Sequence, residues 1–266
     1  MITRFALAGL GVVLAAGLTA PAATAAQAPT ERRAAYQPTL KASKTTVITG
    51  QKLVLSGRVK PAAKGGTVVL QKRIEGRKWA VEKRLTMTKA GKFRYVDKPS
   101  TPGLRSYRVM VPKAGKVKAG TSKPVKVTVL RWVPLTQLAV RAIDGTRAGT
   151  TVSIGGKQYA NSVVSNAGAA KGTIDWNLDP SCTTLRTRFG AGDDGDADAT
   201  AHVTLTGDSE QLFSGQFMLT QSESRTFDVS DVFRLAFAWS STKAGVLEPR
   251  AGAIATMAGP ELLCAI

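Results

Sequence analysis

Histidine, cysteine and aromatic side chains are all scarce in this chain, and each scarcity removes a class of function. One histidine and two cysteines cannot build a multi-histidine zinc site, a cysteine-rich zinc module or an iron–sulfur cluster. No serine sits in a Gly-x-Ser-x-Gly elbow. His202 falls on the outward parity of the strand-like run Thr200–Leu205, the position of an ordinary surface histidine. The chain therefore reads as a non-enzyme. Aromatics supply only 6% of the 266 residues, whereas glycine and proline number 26 and 12. That mix suits short strands and turns better than long helices. An apolar fraction of 43% is enough for packed cores. Helix–turn–helix, zinc-finger and RNP-type aromatic patterns are missing, so sequence-specific nucleic-acid recognition is not expected.

Residues 1–26 have the layout of a secretory signal peptide. Arg4 supplies the positive start, Phe5 to Leu18 is an unbroken run of apolar residues, threonine-free and glycine-dotted, and Pro21 breaks it before Ala23-Thr24-Ala25. The run is shorter than the roughly 20 residues a spanning helix needs. The expectation is an exported protein with no transmembrane segment in the mature chain, secreted and held at the cell wall by non-covalent contacts if it is held at all. Residues 27–40, polar and rich in Ala and Pro, read as a flexible lead-in.

Charge then divides the chain sharply. Residues 27–131 carry 26 Lys/Arg against four Asp/Glu, a net +22, and residues 132–266 carry ten against 14, a net −4. So abrupt a change of sign marks a domain boundary, expected near Trp132–Pro134. The expected layout is a basic domain over 41–131 and a second domain over 132–266.

The basic half alternates with period two. Leu53, Leu55 and Val59 share a face. So do Trp79, Val81, Leu85 and Met87, then Phe93 and Tyr95, then Tyr107, Val109 and Val111, then Val125, Val127 and Val129. Turn signals such as Thr49-Gly50, Gly65-Gly66, Ala90-Gly91 and Pro102-Gly103 separate the runs. Six or seven short strands in this space predict an antiparallel β-sandwich. The core parity assigns Trp79 to packing rather than to a stacking platform. The opposite parity carries Arg58, Lys60, Lys78, Arg84, Lys92, Arg94 and Arg108, with Glu82 the one acid placed among them. Seven cations on outward positions form an electrostatic footprint for a polyanion. Outside a cell the candidates are anionic wall polymers, acidic polysaccharide, lipid head groups and extracellular DNA. Gly50 to Val59, Thr67 to Arg73, Lys78-Trp79, Ala90 to Tyr95 and Tyr107 to Val109 resemble the bacterial Ig-like domains of secreted actinobacterial proteins. The resemblance implies an Ig-like sandwich and is silent about ligand.

The acidic half also reads as strands: Thr151–Ile154, Thr173–Leu178, Leu185–Phe189, His202–Leu205, Leu212–Leu219, and Phe233–Trp239 with every second residue large and apolar. It predicts a larger sandwich of the jelly-roll kind, which makes the whole chain all-β. Cys182 and Cys264, an even pair in an exported chain, read as a disulfide that pins the C-terminal strand. The alternating carboxylates Asp194, Asp196 and Asp198 could supply oxygens to a calcium ion, although the spacing is not that of an EF-hand.

Here Gly155-Gly156-Lys157-Gln158-Tyr159 resembles the "GG-x-x-Y" opening of the NPCBM family of carbohydrate-binding modules. Phe189 to Asp194 resembles its "F-x-a-x-x-G-x-D-D" stretch, Val203 to Ser214 its following hairpin, and Glu261 to Cys264 its closing strand. The resemblance implies a jelly-roll sandwich over roughly 150–264 and glycan binding. The family's histidine after the opening motif falls near Asn166, and its late Asp-His…Trp cluster falls near Ala253, Ile254 and Met257, all three apolar. Together these features predict a secreted, non-catalytic protein that attaches to cell-wall polysaccharide or another polyanion. The competing expectation is a protein-interaction module, an inhibitor or scaffold subunit bound to a secreted protein partner.

Overall fold

A computed structural model describes residues 34–62, 65–244, 246–247 and 252–266. The expected signal segment, 1–26, and the first half of the lead-in, 27–33, lie outside the described residues. Ala34–Ile266 form one compact unit.

The first nine strands come from the basic half: β1 (Gln37–Ala42), β2 (Thr46–Ile48), β3 (Leu53–Lys60), β4 (Thr67–Ile74), β5 (Ala80–Thr86), β6 (Lys92–Asp97), β7 (Gly103–Val111), β8 (Gly120–Thr121) and β9 (Val125–Pro134). One layer has the order β1-β3-β6, and the facing layer runs β9-β7-β4-β5, with β2 lying parallel on β9. The core between them is mostly aliphatic, with Leu53, Leu55, Val59, Leu70, Val109, Val127 and Val129 all buried. Tyr107 is fully buried and its hydroxyl donates to Asp97 at 2.6 Å. Burial, reinforced by that carboxylate, raises the phenol's pKa well above its ordinary value.

Two sequence expectations need correction here. Tyr36 and Leu40 are buried and β1 pairs with β3 along its length, so the expectation of a flexible lead-in does not hold from Tyr36 onward. The apolar residues at Tyr36, Pro38 and Leu40 alternate with polar ones, which is a strand pattern. Trp79 and Val81 are not core residues. Pairing of β4 with β5 slips by one residue between Leu70 and Gln71, so Leu70 faces Lys83 but Gln71 faces Val81. A bulge of this kind swaps the two faces of a strand. Val81 is 55% exposed as a result, and Glu82 turns in to meet Lys72 Nζ at 2.6 Å.

After a single 3-10 turn at Leu135–Gln137, the acidic half adds β10 (Val140–Asp144), β11 (Thr146–Ile154), β12 (Lys157–Ser165), β13 (Lys171–Asn177), β14 (Cys182–Gly192), β15 (Ala199–Gly207), β16 (Glu210–Phe217), β17 (Ser222–Asp228), β18 (Arg234–Lys243), β19 (Val246–Leu247) and β20 (Ile254–Cys264). One layer runs β10-β13-β18-β15-β16; the other runs β11-β12-β20-β14-β17. Their core is more aromatic than the first, with Trp176, Phe189, Phe237 and Trp239 buried and Phe189 stacked on Phe213 at 4.4 Å. Leu235, Phe237 and Trp239 alternate inward as expected, but Phe233 is 61% exposed because β18 begins one residue later.

Strand β20 joins the halves. Along one edge it pairs with β14; along the other it pairs first with β12 through Thr256 and Met257, then with β9 through Glu261–Cys264. The expected boundary near Trp132–Pro134 thus falls inside β9, whose first part belongs to one core and whose last four residues extend the sheet of the other. Cys182 and Cys264 are register partners on β14 and β20 and form the disulfide.

Candidate functional site

The opening motif of the acidic half is tied to its acidic loop by one carboxylate. Gly155 and Gly156 make the two-residue turn between β11 and β12, both with positive φ (58° and 74°). A two-residue hairpin turn with left-handed backbone at both positions favours glycine. The Gly155 and Gly156 amides donate to the two oxygens of Asp193 at 2.6 and 2.8 Å, and Ser153 Oγ donates at 2.7 Å. Asp193 is held below the ordinary carboxylate range, first by the Gly156 amide and then by the Ser153 hydroxyl. The "GG" and "DD" stretches, about forty residues apart, are therefore two sides of one clamp.

Beyond the clamp, loops converge at the end of the sandwich. Arg147, Asn166, Asp194, Asp196, Ala253 and Ile254 line a cavity of about 190 Å³. This is smaller than the ~300–1,000 Å³ usual for drug-sized ligands. The side chains of Arg147, Asn166, Asp194 and Asp196 have no hydrogen bond or ion pair among the described residues. Their donors and acceptors suit hydroxyl groups, since a carboxylate accepts two bonds and an amide both donates and accepts. The loop that carries Asp196 is anchored by its amide on the Gly252 carbonyl at 3.3 Å, and a Cβ at Gly195 would meet the Ile254 amide at 2.9 Å. Close approach of two backbones at Gly195 is what lets the loops meet.

Of the three aspartates read as a calcium ligand set, Asp194 and Asp196 line the loop-end cavity together, whereas Asp198 pairs with Lys243 Nζ at 2.9 Å, which lowers its pKa. Among the described residues no group of three or more His, Cys, Asp or Glu side chains is placed to hold a metal.

In the basic half the seven expected cations divide between two faces. Arg58 and Lys60 on β3 and Lys92 and Arg94 on β6 lie on the outer face of the three-stranded layer, where Arg58 is register partner of Lys92. Lys41 of β1 joins them, a cation outside the seven expected because β1 straddles the expected boundary at residue 40. Thr39, Ser56 and Thr88 complete a groove of about 520 Å³ with Lys41, Arg58, Lys92 and Arg94 at its sides. No acid lines it. Arg58 Nε donates to the Ala90 carbonyl at 3.2 Å, which fixes its direction. Arg84 and Arg108 belong to the opposite layer, and Lys78 lies in the β4–β5 turn. There the Arg73 and Arg108 guanidiniums lie 4.9 and 4.2 Å from the Trp79 ring centre, and Arg108 Nε donates to Gln71 at 2.8 Å. Trp79 is half-buried by cations rather than by the core. His202 is half-buried with Nε2 at 2.9 Å from Thr242 Oγ1, and it lines a shallow surface depression together with Asp144 and Lys171.

These features define an all-β protein with one loop-end pocket lined by hydroxyl-binding groups and one acid-free cationic face. Residues 123–245, from just before β9 to just after β18, match the NPCBM/NEW2 domain. No curated protein matches the chain. Among solved structures, the carbohydrate-binding module CBM51 of Clostridium perfringens GH95, in complex with methyl-galactose, is 12% identical with a TM-score of 0.41, covering 49% of this chain and 99% of that one. The M60 catalytic domain with the CBM51-1 and CBM51-2 domains of Clostridium perfringens ZmpB is 12% identical with a TM-score of 0.42; 85% of this chain matches 31% of that one. This chain spans less than a third of that protein fragment.

Proposed function

We propose that this is a secreted, non-catalytic binding protein that attaches to cell-envelope glycan through its NPCBM domain and to an anionic envelope polymer through its basic half. The observation that carries the reading is the acid-free outer face of β1-β3-β6, where Lys41, Arg58, Lys60, Lys92 and Arg94 stand together on one chain with a carbohydrate-binding domain. Like charges this close repel one another, and a polyanion offsets the cost while releasing its counterions. The layer order of the basic half, with β2 parallel on β9, supports an Ig-like domain as the carrier of that face. The loop pocket adds a second contact of hydroxyl-binding chemistry, and two weak contacts on one chain raise retention through effective concentration.

The test is co-sedimentation of the chain from residue 27 with purified cell walls, with and without their anionic polymers, across a salt series. Binding that falls steeply with salt and is lost on stripped walls supports the reading. Binding to neither wall at low salt overturns it and leaves a protein partner as the occupant.

A further inference from the structure

The acidic half has a second groove on the outer face of its β12-β20-β14-β17 layer, far from neutral in charge although the half is acidic overall. Its floor is Ala258 and Gly259 of β20, two small residues next to the point where the pairing of β14 with β20 shifts register between Arg186 and Arg188. The walls are Lys157 and Tyr159 of β12 on one side and Arg186 and Arg188 of β14 on the other, enclosing about 330 Å³. That volume reaches the range in which small-molecule sites occur.

The charges in this groove are held in place. The Arg186 guanidinium lies 3.9 Å from the Trp132 ring centre and pairs with Glu261 at 2.7 Å. Arg188 donates to Ser222 Oγ at 2.9 Å. Lys157 Nζ and the Arg188 guanidinium lie 5.1 and 5.8 Å from the Tyr159 ring centre. Glu261 neutralises Arg186, but neither Lys157 nor Arg188 has a carboxylate partner among the described residues. Two uncompensated cations therefore flank one half-exposed aromatic ring. A pre-positioned guanidinium loses little freedom on binding and its planar fork matches a carboxylate. An aromatic ring offers an apolar face to the C–H side of a sugar ring.

We infer that this groove is a binding site for acid-bearing saccharide, with the sugar ring against Tyr159 and its carboxylate between Lys157 and Arg188. The inference rests on the reading of the acidic half as a glycan-binding domain, but the groove is separate from the loop pocket, with which it shares no lining residue.

The probe is tri-galacturonate, with its fully methyl-esterified form as the uncharged comparator. Binding to the full mature chain is read from amide shifts in heteronuclear NMR and from titration calorimetry. The expected result is shifts centred on Tyr159, Arg188 and Gly259, no response to the methyl ester in the groove, and affinity at least about tenfold weaker in Arg188→Gln, the scale of a lost charge-assisted hydrogen bond. Lys157→Gln, at the exposed end of β12, repeats the test if Arg188→Gln does not fold. Shifts confined to the basic face of β1-β3-β6, or an affinity unchanged in both variants, overturn the inference. Equal binding of acid and ester at the loop pocket overturns it while leaving glycan binding by the domain intact. No binding of either saccharide anywhere in the acidic half removes both.

Discussion

The basic and acidic halves use the same sandwich geometry in opposite ways. In the basic half the core is aliphatic, there is no disulfide, and the cations stand on strand faces in register with one another. In the acidic half the core is aromatic, a disulfide closes the last strand, and the polar groups that could meet a ligand come from loops and from one sheet groove. A face made of many strand positions acts collectively, because exposed charges are individually weak and screened. A pocket made of converging loops depends on single side chains, because each donor or acceptor has one geometric role. The difference teaches that single substitutions should expose the function of the acidic half and leave that of the basic half nearly unmoved.

Removing the disulfide is the strongest way to break the comparison. Cys182→Ser with Cys264→Ser opens a loop of 82 residues' separation. The chain-entropy model puts the loss at up to about 4.5 kcal/mol. Because β20 also carries Glu261–Cys264 to β9, calorimetry should show both halves losing stability; unfolding of the acidic half alone would show that the β9–β20 joint transmits nothing.

Next in size is the basic face. Replacing Arg58, Lys92 and Arg94 together by Gln should weaken wall binding by about tenfold or more at low salt and lower the slope of log affinity against log salt by roughly one unit per ion contact removed. Each single replacement should change affinity less than about threefold. Co-sedimentation across the salt series checks both, and one dominant residue would mean a built site rather than a face.

A smaller effect is expected at the joint. Arg186→Gln removes the stack on Trp132 and the pair with Glu261, both partly exposed, at a cost of about 1 kcal/mol. Chemical denaturation measures it, and a null result would assign the joint to its backbone ladder alone.

The smallest effect is the pH dependence of the Asp193 clamp. Asp193 has a folded pKa below its unfolded one, so its contribution is present above the unfolded value, near 4, and fades as pH falls through the folded value. Protection of the Gly155 and Gly156 amides against hydrogen exchange should persist at about pH 4 and be lost only as pH falls further, through the folded value, and Asp193→Asn should abolish that dependence. Fast exchange at neutral pH in the unaltered chain would remove the clamp.

The alternation in Leu53–Val59, Tyr107–Val111 and Leu235–Trp239 was legible because strand periodicity survives any tertiary arrangement. The same rule failed at Trp79 and Val81, since a one-residue bulge reverses the faces and leaves no mark in composition. The positions aligned with the family's histidine and late cluster, Asn166, Ala253 and Ile254, do meet in one cavity. That Arg147 and Asp196 line the same cavity had no sequence signal, because one arrives on strand β11 and the other on a loop about fifty residues further along the chain. Arg58, Lys60, Lys92 and Arg94 were correctly grouped by parity as outward, but parity could not say that Arg84 and Arg108 lie on the other layer.

Sequence alone determined the all-β class, the reversal of charge along the chain and the pairing of its two cysteines. These depend on residue type, short-range period and the count of available thiols. Tertiary structure decided that one strand, β9, serves both cores, that Asp198 parts from Asp194 and Asp196, and that Lys157, Tyr159, Arg186 and Arg188 enclose a groove. Those outcomes depend on which strands become neighbours across long separations, and strand order is set by the packing of whole layers rather than by any local run of residues.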